Sequence, residues 1–343
     1  MSTPFPLGKL PADVLARLLA GMRPVDPRVL VGPGIGLDAA VIDMGDQLLV
    51  ATTDPITFAA DSIGWYAVQV NANDIATTGA TPHWFMATVL LPESRADVAM
   101  AETILAQIHT ACATLGVDLV GGHTEITYGL DRPIVVGAML GQVRRERWIT
   151  PYGARPGDAL LLTKGIAVEG TAIMAREQNL SFEDEFLEGC RNFLTRPGIS
   201  IVRDAAIATD AGRVHAMHDP TEGGLATGLH ELAQASSVGL MIEASAVPIY
   251  AETQVLCRAL GLDPWGVIAS GALLLAVEAA DAENICRALE TQGIRAALIG
   301  RVTDAANTVL VREAAGIRDL PHFGRDEIAR LFEGSLRAPD DEG

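Results

Sequence analysis

The sequence predicts a mixed α/β or α+β protein that folds as two domains. Its 343 residues are enough for two domains, since a domain typically holds about 150 residues. Apolar runs typical of strands and segments with helical periodicity occur in both halves of the chain, which indicates layers of sheet and helix. Residues 150–158 (TPYGARPGD) form a cluster of Pro and Gly that breaks regular structure. We therefore expect domains over residues 1–152 and 153–343.

The first half of the chain contains clear helix and strand signals. In chain order we expect a helix over 11–21, a hairpin around Gly45-Asp46, a helix over 63–79, a strand in HWFMATVLLP, a helix from Ser94 to Gly116, and strands in DLVGG and PIVVGAMLGQV. Ser94 and Asp97 have the spacing of a capping box, which marks a helix start. Gly79 and Gly116 are typical helix ends.

The second half alternates between the same two patterns. We expect strands in ALLLTKG, VHAMHD, GLMIEA, ALLLAVEA, IRAALIGRVT and NTVLV, and helices over 167–178, 198–210, 221–235, 281–292 and 325–333. No internal repeat of short period is present, so a solenoid is not indicated.

Charge and cysteine content exclude several classes of protein. The formal net charge is −18, from 43 acidic and 25 basic residues, and such a surface repels nucleic acids and anionic membranes. The four cysteines form no CxxC pair, so neither a zinc ribbon nor a disulfide framework is predicted. Without a signal peptide or a long apolar run at the N-terminus, we expect a cytoplasmic protein with no membrane or nucleic-acid partner.

The sequence does not support either of two common nucleotide-binding motifs, the P-loop and the Rossmann fingerprint. A P-loop requires Gly-Lys-Ser/Thr, but the only lysines, Lys9 and Lys164, are followed by Leu and Gly. Residues 34–39 (GIGLDA) match a Rossmann fingerprint, and Asp54 lies where a ribose-binding acid would stand. That fingerprint needs a helix directly after the glycines, whereas AAVID predicts a strand.

Five short motifs place an acidic or polar residue beside small residues at the end of an apolar segment. They are GPGIGLDAAV with Asp38, VATTDP with Asp54, NANDIATTGATP with Asp74, GGHTE over 121–125, and HDPTEGGLA with Asp219. Alone, each is typical of a turn or a helix cap. Asp74 is unusual because it lies inside a predicted helix beside Asn71 and Asn73, where such polar residues are poor choices.

Several carboxylates that meet in one place repel each other unless a cation lies between them. Oxygen ligands favour Mg²⁺, which commonly joins a few carboxylates to substrate phosphates. An acidic protein can therefore bind a triphosphate through magnesium. Backbone N–H groups of the glycine segments and the start of helix 221–235 would add anion-binding dipoles.

In this order, over about residues 30–310, the motifs resemble those of the aminoimidazole-ribonucleotide (AIR) synthetase superfamily, the PurM-like ATP-binding proteins. GLDAAVI resembles the family's G-D-x-A-A-V segment, ATTDP its T-T-D strand end, and NANDIATTGATP its N-D-(L/I)-A-x-x-G-A-x-P helix. GGHTE resembles a glycine loop of the family. DPTEGGLA is similar to D-P-T-x-G-G-L-A of the HypE hydrogenase-maturation branch.

The resemblance implies an N-terminal domain whose strands form a β-barrel in a homodimer, a C-terminal α+β domain, and ATP and Mg²⁺ as cofactors. The expected metal ligands are Asp38, Asp54, Asp74 and Asp219. The expected nucleotide-binding residues are Gly36, Thr53, Asn71, Gly121, Gly122, His123, Thr124 and Gly223. The expected catalytic residues are His123, Glu169 and Lys164.

The sequence also departs from the family pattern. The HypE branch carries a reactive cysteine at its C-terminus, whereas no cysteine follows Cys286 here. It carries a His where this chain has Glu169 and a Glu where this chain has Ser270. The thiamine-monophosphate kinase branch has paired aspartates at the first motif, where Asp38 stands alone.

We therefore expect an ATP- and Mg²⁺-dependent phosphoryl-transfer enzyme of the HypE-like group with an unknown small-molecule or protein acceptor. Such catalysis consists mainly of positioning and charge neutralisation. One alternative is a weakly catalytic or non-catalytic accessory protein of the same fold. The other is a thiamine-monophosphate-type kinase.

Overall fold

The computed structural model describes residues 5, 8, 10–57, 61–177 and 180–332. The chain divides into two compact units, unit 1 over Met1–Trp148 and unit 2 over Ile149–Gly343. Each unit combines one β-sheet with helices, so the predicted mixed class is confirmed. The boundary lies at the N-terminal side of the Pro/Gly cluster, slightly before the predicted one.

Unit 1 is built on a six-stranded sheet in the order β1-β2-β3-β6-β4-β5. The elements are α1 (Ala12–Leu19), β1 (Val29–Val31), β2 (Ala40–Asp43), β3 (Gln47–Ile56), α2 (Ile63–Thr77), β4 (Thr81–Pro92), α3 (Val98–Leu115), β5 (Asp118–Thr127) and β6 (Ile134–Arg144). Only β4 and β5 pair in parallel; the other neighbours are antiparallel. The sheet is open, with β1 and β5 at its edges.

Helix α2 is the centre of unit 1. It packs on strands β3, β4 and β6 and on α3, and every residue of the helix except Trp65 is buried. A helix buried on all sides is normally apolar throughout, but α2 also carries Gln69, Asn71, Asn73 and Asp74. These polar side chains need hydrogen-bond partners inside the unit.

Helix α3 begins later than its sequence signal suggests. Asp97 is the N-cap and accepts a 2.7 Å hydrogen bond from the backbone N–H of Met100. The predicted start at Ser94 was wrong because Asp97, three residues later, is the residue whose side chain caps the helix. The helix ends at Gly116 as predicted, where φ is +68°.

By length and composition alone, α3 is the one helix of the described residues that could cross a membrane. Core helices of other proteins pass the same test. Ile104, Ile108, Ala111 and Cys112 on this helix are buried, and Gln107 accepts a hydrogen bond from the backbone of Gly64 on α2.

Unit 2 contains a seven-stranded sheet in the order β13-β12-β9-β11-β7-β10-β8. Its strands are β7 (Ala159–Thr163), β8 (Val214–His218), β9 (Gly239–Glu243), β10 (Leu274–Val277), β11 (Ala296–Thr303), β12 (Val309–Glu313) and β13 (Gly316–Asp319). Its helices are α4 (Val168–Glu177), α5 (Asp184–Arg191), α6 (Val202–Ala211), α7 (Gly224–Ser236), α8 (Ala251–Leu260), α9 (Ala282–Thr291) and α10 (Ala329–Phe332). The pair β9–β12 is parallel.

Three elements of unit 2 were not predicted: α5, α8 and β13. The signal for α8 was present, because Gly261 ends it in the left-handed region with φ +66°. Strand β13 is exposed at all four residues, so it lacks the alternation of apolar and polar residues that reveals a half-buried strand.

We expect Gly64→Ala to destabilise unit 1. A Cβ at Gly64 would lie 2.5 Å from the Ile104 carbonyl oxygen of α3, so the two helices would have to separate. The expected loss in the free energy of unfolding is about 1–3 kcal/mol, measured by urea denaturation.

The matched control is Gly189→Ala on helix α5, where an added Cβ meets no atom within 4 Å. This control should gain up to about 1 kcal/mol because Ala favours a helix over Gly. Equal behaviour of the two variants would contradict close packing of α2 on α3.

Candidate functional site

Asn71 on α2 fixes the backbone at Asp54. Its Oδ1 accepts from the Asp54 N–H at 2.9 Å, and its Nδ2 lies 3.3 Å from the Asp54 carbonyl oxygen. The same Nδ2 donates to the Ala67 carbonyl at 2.8 Å. Gly137 on β6 makes room for this amide, since a Cβ there would lie 2.4 Å from Asn71 Nδ2. Asn71 thus ties the end of β3 to the centre of α2.

Thr52 on β3 joins the other two predicted aspartates. Its hydroxyl lies 2.7 Å from the Asp38 carbonyl oxygen and 2.8 Å from Asp74 Oδ2. A hydroxyl has one proton to donate, so it serves these two acceptor oxygens one at a time. Asp74 is 3% exposed, so its contact with the Thr52 hydroxyl lies inside unit 1.

Through Thr52 and Asn71, the fold brings Asp38, Asp54 and Asp74 to neighbouring positions. They come from the segment before β2, from β3 and from α2. Asp38 is exposed and Asp54 is half-buried, so the set reaches from the interior to the surface of unit 1.

Two further predicted residues lie beside this set. The Thr53 hydroxyl donates to the Gly137 carbonyl at 2.8 Å, which occupies its proton within the sheet. Gly36 has φ +69° and turns the segment that carries Asp38.

The GGHTE motif lies within strand β5. The strand predicted in DLVGG is confirmed, and it continues through the residues that the resemblance implied to be a loop. Gly121 to Glu125 continue the parallel pairing with β4, which supplies the hydrogen bonds that a loop would lack. Gly122 has φ +151°, and a Cβ there would lie 2.0 Å from the Ala87 carbonyl oxygen. Close approach of the two strands therefore requires glycine at this position.

Strand β5 is an edge strand, and every residue from Asp118 to Ile126 is exposed. The side chain of His123 is 66% exposed, and its Nε2 lies 3.4 Å from Glu125 Oε2. Across the β4–β5 pair His123 opposes Thr88. His123 is therefore accessible to a ligand.

A cavity of about 210 Å³ lies between α3 and strands β4 and β5. Its lining combines apolar side chains with the polar motif: Ala87, Val89, Leu105, Ile108, Leu119, Gly121, Gly122, His123 and Thr124. Pockets for whole drug-sized ligands are roughly 300–1,000 Å³. This cavity fits one portion of such a ligand.

In unit 2, an acid of the chain itself occupies the start of α7. The N–H of Gly223 donates to Asp326 Oδ2 at 2.7 Å, so this predicted anion-binding group already has a carboxylate partner. Asp219 follows β8 and is 3% exposed. The roles predicted for Gly223 and Asp219 remain predictions.

Lys164 is buried and surrounded by oxygen atoms. Its Nζ donates to the carbonyl oxygens of Ser200 at 2.5 Å and Gly271 at 3.0 Å, and it lies 3.2 Å from Asp204 Oδ1. Burial lowers the pKa of the ammonium group, and the charge of Asp204 opposes that lowering. Lys9, the other lysine, lies outside the described residues.

Glu169 is buried at the start of α4. Burial raises the pKa of its carboxyl to about 7; a hydrogen bond from Ser270 lowers it, and the charges of Asp326 and Glu222 raise it. Burial also raises the pKa of Asp326 to about 6, against backbone hydrogen bonds from Gly223, Ile328 and Ile268.

Thr52, Ser270 and Asp326 were not predicted as members of these clusters. Thr52 precedes the T-D pair of the ATTDP motif, so its proximity to Asp54 was a usable signal. Asp326 comes from a distant part of the chain, and nothing in its local sequence indicates a contact with Gly223.

Thr52→Val should lower the free energy of unfolding by about 1–3 kcal/mol, because the variant removes the hydroxyl that contacts the Asp38 carbonyl and the buried Asp74 carboxylate. Urea denaturation measures the loss. Thr52→Ser keeps the hydroxyl and should retain most of the stability. If the Val variant proves as stable as the Ser variant, the hydroxyl does not join these two segments.

The two units match the two domain models of one protein family. Residues 36–143 match the N-terminal domain of AIR synthase related proteins, and residues 155–313 match their C-terminal domain.

Curated relatives match over most of their length. A putative hydrogenase expression/formation protein of Methanocaldococcus jannaschii is 31% identical over 85% of this chain and 88% of its own. Carbamoyl dehydratase HypE of Rhizobium leguminosarum bv. viciae is 30% identical over 86% of each.

Solved structures agree with this relationship. The crystal structure of hydrogenase maturation protein HypE in complex with ATP has a TM-score of 0.72 at 26% identity and covers 90% of this chain and 95% of its own. Thiamine-monophosphate kinase from Stenotrophomonas maltophilia K279a has a TM-score of 0.67 at 24% identity, covers 87% and 94% respectively, and shows the same fold. The chain belongs to the AIR synthase related (PurM-like) family and lies nearest its HypE branch.

Proposed function

We propose that this protein is an ATP- and Mg²⁺-dependent enzyme that transfers a phosphoryl group to an acceptor oxygen. The observation that carries the proposal is the linkage of Asp38, Asp54 and Asp74 through Thr52 and Asn71. The sequence predicted these acids as a set, and hydrogen bonds that involve the backbones of Asp38 and Asp54 and the carboxylate of Asp74 support the proposal.

The donor atoms of this set suit Mg²⁺. The carboxylates, the Asp38 carbonyl and the Thr52 hydroxyl all offer oxygen. Oxygen donors of this kind bind Mg²⁺ together with substrate phosphates. Magnesium would neutralise charge on the transferred phosphoryl group. The three aspartates would hold the ion.

The residues Gly121, Gly122, His123 and Thr124 are proposed to contact the nucleotide. They line the cavity beside α3, and the exposed imidazole of His123 offers a hydrogen bond to a phosphate oxygen. The HypE structure at 26% identity is a complex with ATP, which supports nucleotide binding in this family.

The three predicted catalytic residues have different surroundings. His123 is exposed and can reach a ligand. Lys164 donates to two carbonyl oxygens and pairs with Asp204, which favours a bracing role over a catalytic one. Glu169 is buried with a pKa of about 7, a value suited to proton transfer near neutral pH.

We expect MgATP to raise the melting temperature of the full-length protein and Asp54→Asn to remove the shift. The carboxamide loses the charge that holds the cation. A ligand at a hundred times its Kd adds about 2.7 kcal/mol of stability, which differential scanning fluorimetry detects easily.

Asp46→Asn, in the exposed β2–β3 turn, is the matched control and should keep the full shift. ATP with EDTA should give none. A folded wild-type protein that shows no shift with MgATP would contradict the proposal. If the protein binds MgATP but hydrolyses or transfers no phosphoryl group with any acceptor tested, the accessory-protein alternative is favoured.

The molecule that accepts the phosphoryl group distinguishes the HypE-like enzyme from the thiamine-monophosphate kinase. A thiamine-monophosphate kinase shares the fold, whereas the curated relatives belong to the hydrogenase-maturation group. We expect no ATP-dependent phosphorylation of thiamine monophosphate, measured by ADP release and by mass spectrometry of the product. Formation of thiamine diphosphate would replace our assignment with the kinase.

We further propose a homodimer through the uncovered face of the unit 1 sheet, as the predicted dimeric barrel requires. Helices α2 and α3 pack on one face. On the other face, Trp84 opposes Leu140 and Met86 opposes Ala138; Met86 is 38% exposed and the other three are half-buried. An apolar sheet face of this kind is normally covered.

Leu140→Glu should convert the dimer to a monomer, because the substitution places a charge in the centre of that face. Analytical ultracentrifugation measures the mass. Leu298→Glu, at a 55% exposed position on β11, is the control and should remain dimeric. A monomeric wild-type protein would contradict this proposal.

A further inference from the structure

Unit 2 buries an acid that the metal and nucleotide groups do not use. Glu169 is 6% exposed, and its Oε2 is buried without a hydrogen-bond partner among the described residues. Burying a carboxylate without a counter-charge is costly, so such a group either holds a proton or receives one from a ligand.

Ser270 contacts Glu169 from the loop before β10. Its hydroxyl forms a side-chain hydrogen bond with the carboxyl group, and the Glu169 backbone N–H donates to the Ser270 carbonyl at 3.3 Å. Ser270 is 2% exposed. The hydroxyl therefore fixes one carboxyl oxygen in an enclosed position, and Oε2 is the oxygen that has no hydrogen-bond partner among the described residues.

The charged groups that act on Glu169 are both acidic. They are Asp326 in the C-terminal segment and Glu222 in the loop before α7. The Asp326 carboxylate is held by the N–H groups of Gly223 at 2.7 Å and Ile328 at 2.8 Å. These contacts favour its ionised form against burial, which raises the pKa of Asp326 to about 6. Above that pH a negative charge therefore lies near Glu169 and disfavours a second one.

The backbone before Glu169 is strained and tightly packed. Lys164 and Ala167 have φ of +57° and +56°, a region that costs energy for residues with a side chain and often marks functional segments. A Cβ at Gly170 would lie 2.2 Å from Val267 Cγ1. The start of α4 is thus held in one position against the loop that carries Ser270.

We propose that Glu169 is the acid–base group of unit 2 and that Ser270 and Asp326 are positioning residues that set when its proton leaves. The assignment to the reaction rests on the proposed function. There, the Glu169 carboxylate takes the proton of a hydroxyl: that O–H bond breaks, a new O–H bond forms at Oε2, and the hydroxyl oxygen keeps the electron pair of the broken bond.

The two positioning residues have opposite effects. Ser270 donates to the ionised carboxylate and favours it, so Ser270→Ala should raise the pKa of Glu169. Asp326 repels the ionised form, so Asp326→Asn should lower the pKa of Glu169. Each shift should be roughly one pH unit. A merely structural disturbance would not produce opposite signs.

Infrared spectroscopy of the full-length protein tests this without nucleotide. We expect a carboxylic-acid C=O band that disappears with a midpoint near pH 7 and is missing in Glu169→Gln. The midpoint pH of this band should rise in Ser270→Ala, return to the wild-type value in Ser270→Thr, and fall in Asp326→Asn. It should stay unchanged in the control Glu283→Gln, whose side chain is 88% exposed. No band at Glu169, or shifts of equal sign, would overturn the proposal.

A stability measurement gives a second readout with a fixed sign. The pKa of Glu169 is raised from 4.5 to about 7, so its contribution to stability is complete below about pH 4.5 and is lost as the pH rises through 7. Glu169→Gln should therefore gain melting temperature relative to wild type at pH 8 and none at pH 4.5. An equal difference at both pH values would overturn the proposal.

The pH profile of ATP turnover separates the two proposals. If the band titrates as expected but no acceptor supports turnover, the proposed function fails and the proton-holding site stands. If turnover occurs and its pH profile does not follow the shifts of Ser270→Ala and Asp326→Asn, the acid–base assignment is overturned while the proposed function survives.

Discussion

The arrangement of unit 1 depends on a carboxylate buried in the middle of a helix. Asp74 is 3% exposed within α2, and an ionised group at such a depth is tolerated only with hydrogen bonds or a counter-charge. The Thr52 hydroxyl provides one contact and reaches the Asp38 backbone as well. Asn71, one turn earlier on the helix, fixes Asp54. The polar interior of α2 thus determines where the acidic residues of two other segments lie.

Unit 2 also buries acidic residues, but their contacts differ from those of Asp74. The start of α7, whose N–H groups attract anions, receives the Asp326 carboxylate of the C-terminal segment. The charge of Asp326 raises the pKa of the nearby Glu169, whose Oε2 has no hydrogen-bond partner among the described residues. The buried acids of the two units therefore differ in their contacts: a hydroxyl contacts Asp74 in unit 1, and backbone N–H groups contact Asp326 in unit 2.

The edge strand β5 shows how one segment serves several requirements. Gly122 permits the close parallel approach to β4, while His123 stays exposed. Because side chains alternate along a strand, neighbouring residues of the GGHTE motif point to opposite faces of the sheet. Four consecutive residues of the motif, Gly121 to Thr124, line the cavity beside α3.

The sequence by itself determined the mixed α/β class, most of the helices and strands, and the three aspartates that are candidate metal ligands of unit 1. It did so because hydrophobic periodicity, glycine helix ends and the odd position of Asp74 are local properties. It misplaced the start of α3 and missed α5, α8 and β13. The fully exposed β13 lacks the alternation of a half-buried strand, whereas the end signal of α8 at Gly261 was present. Only the tertiary structure decided that Thr52 and Asn71 join the three aspartates, that Lys164 is enclosed by carbonyl oxygens and Asp204, and that Asp326 reaches Gly223. Those contacts join residues far apart in the chain, and their energies depend on burial that exists only after the sheets and helices have packed.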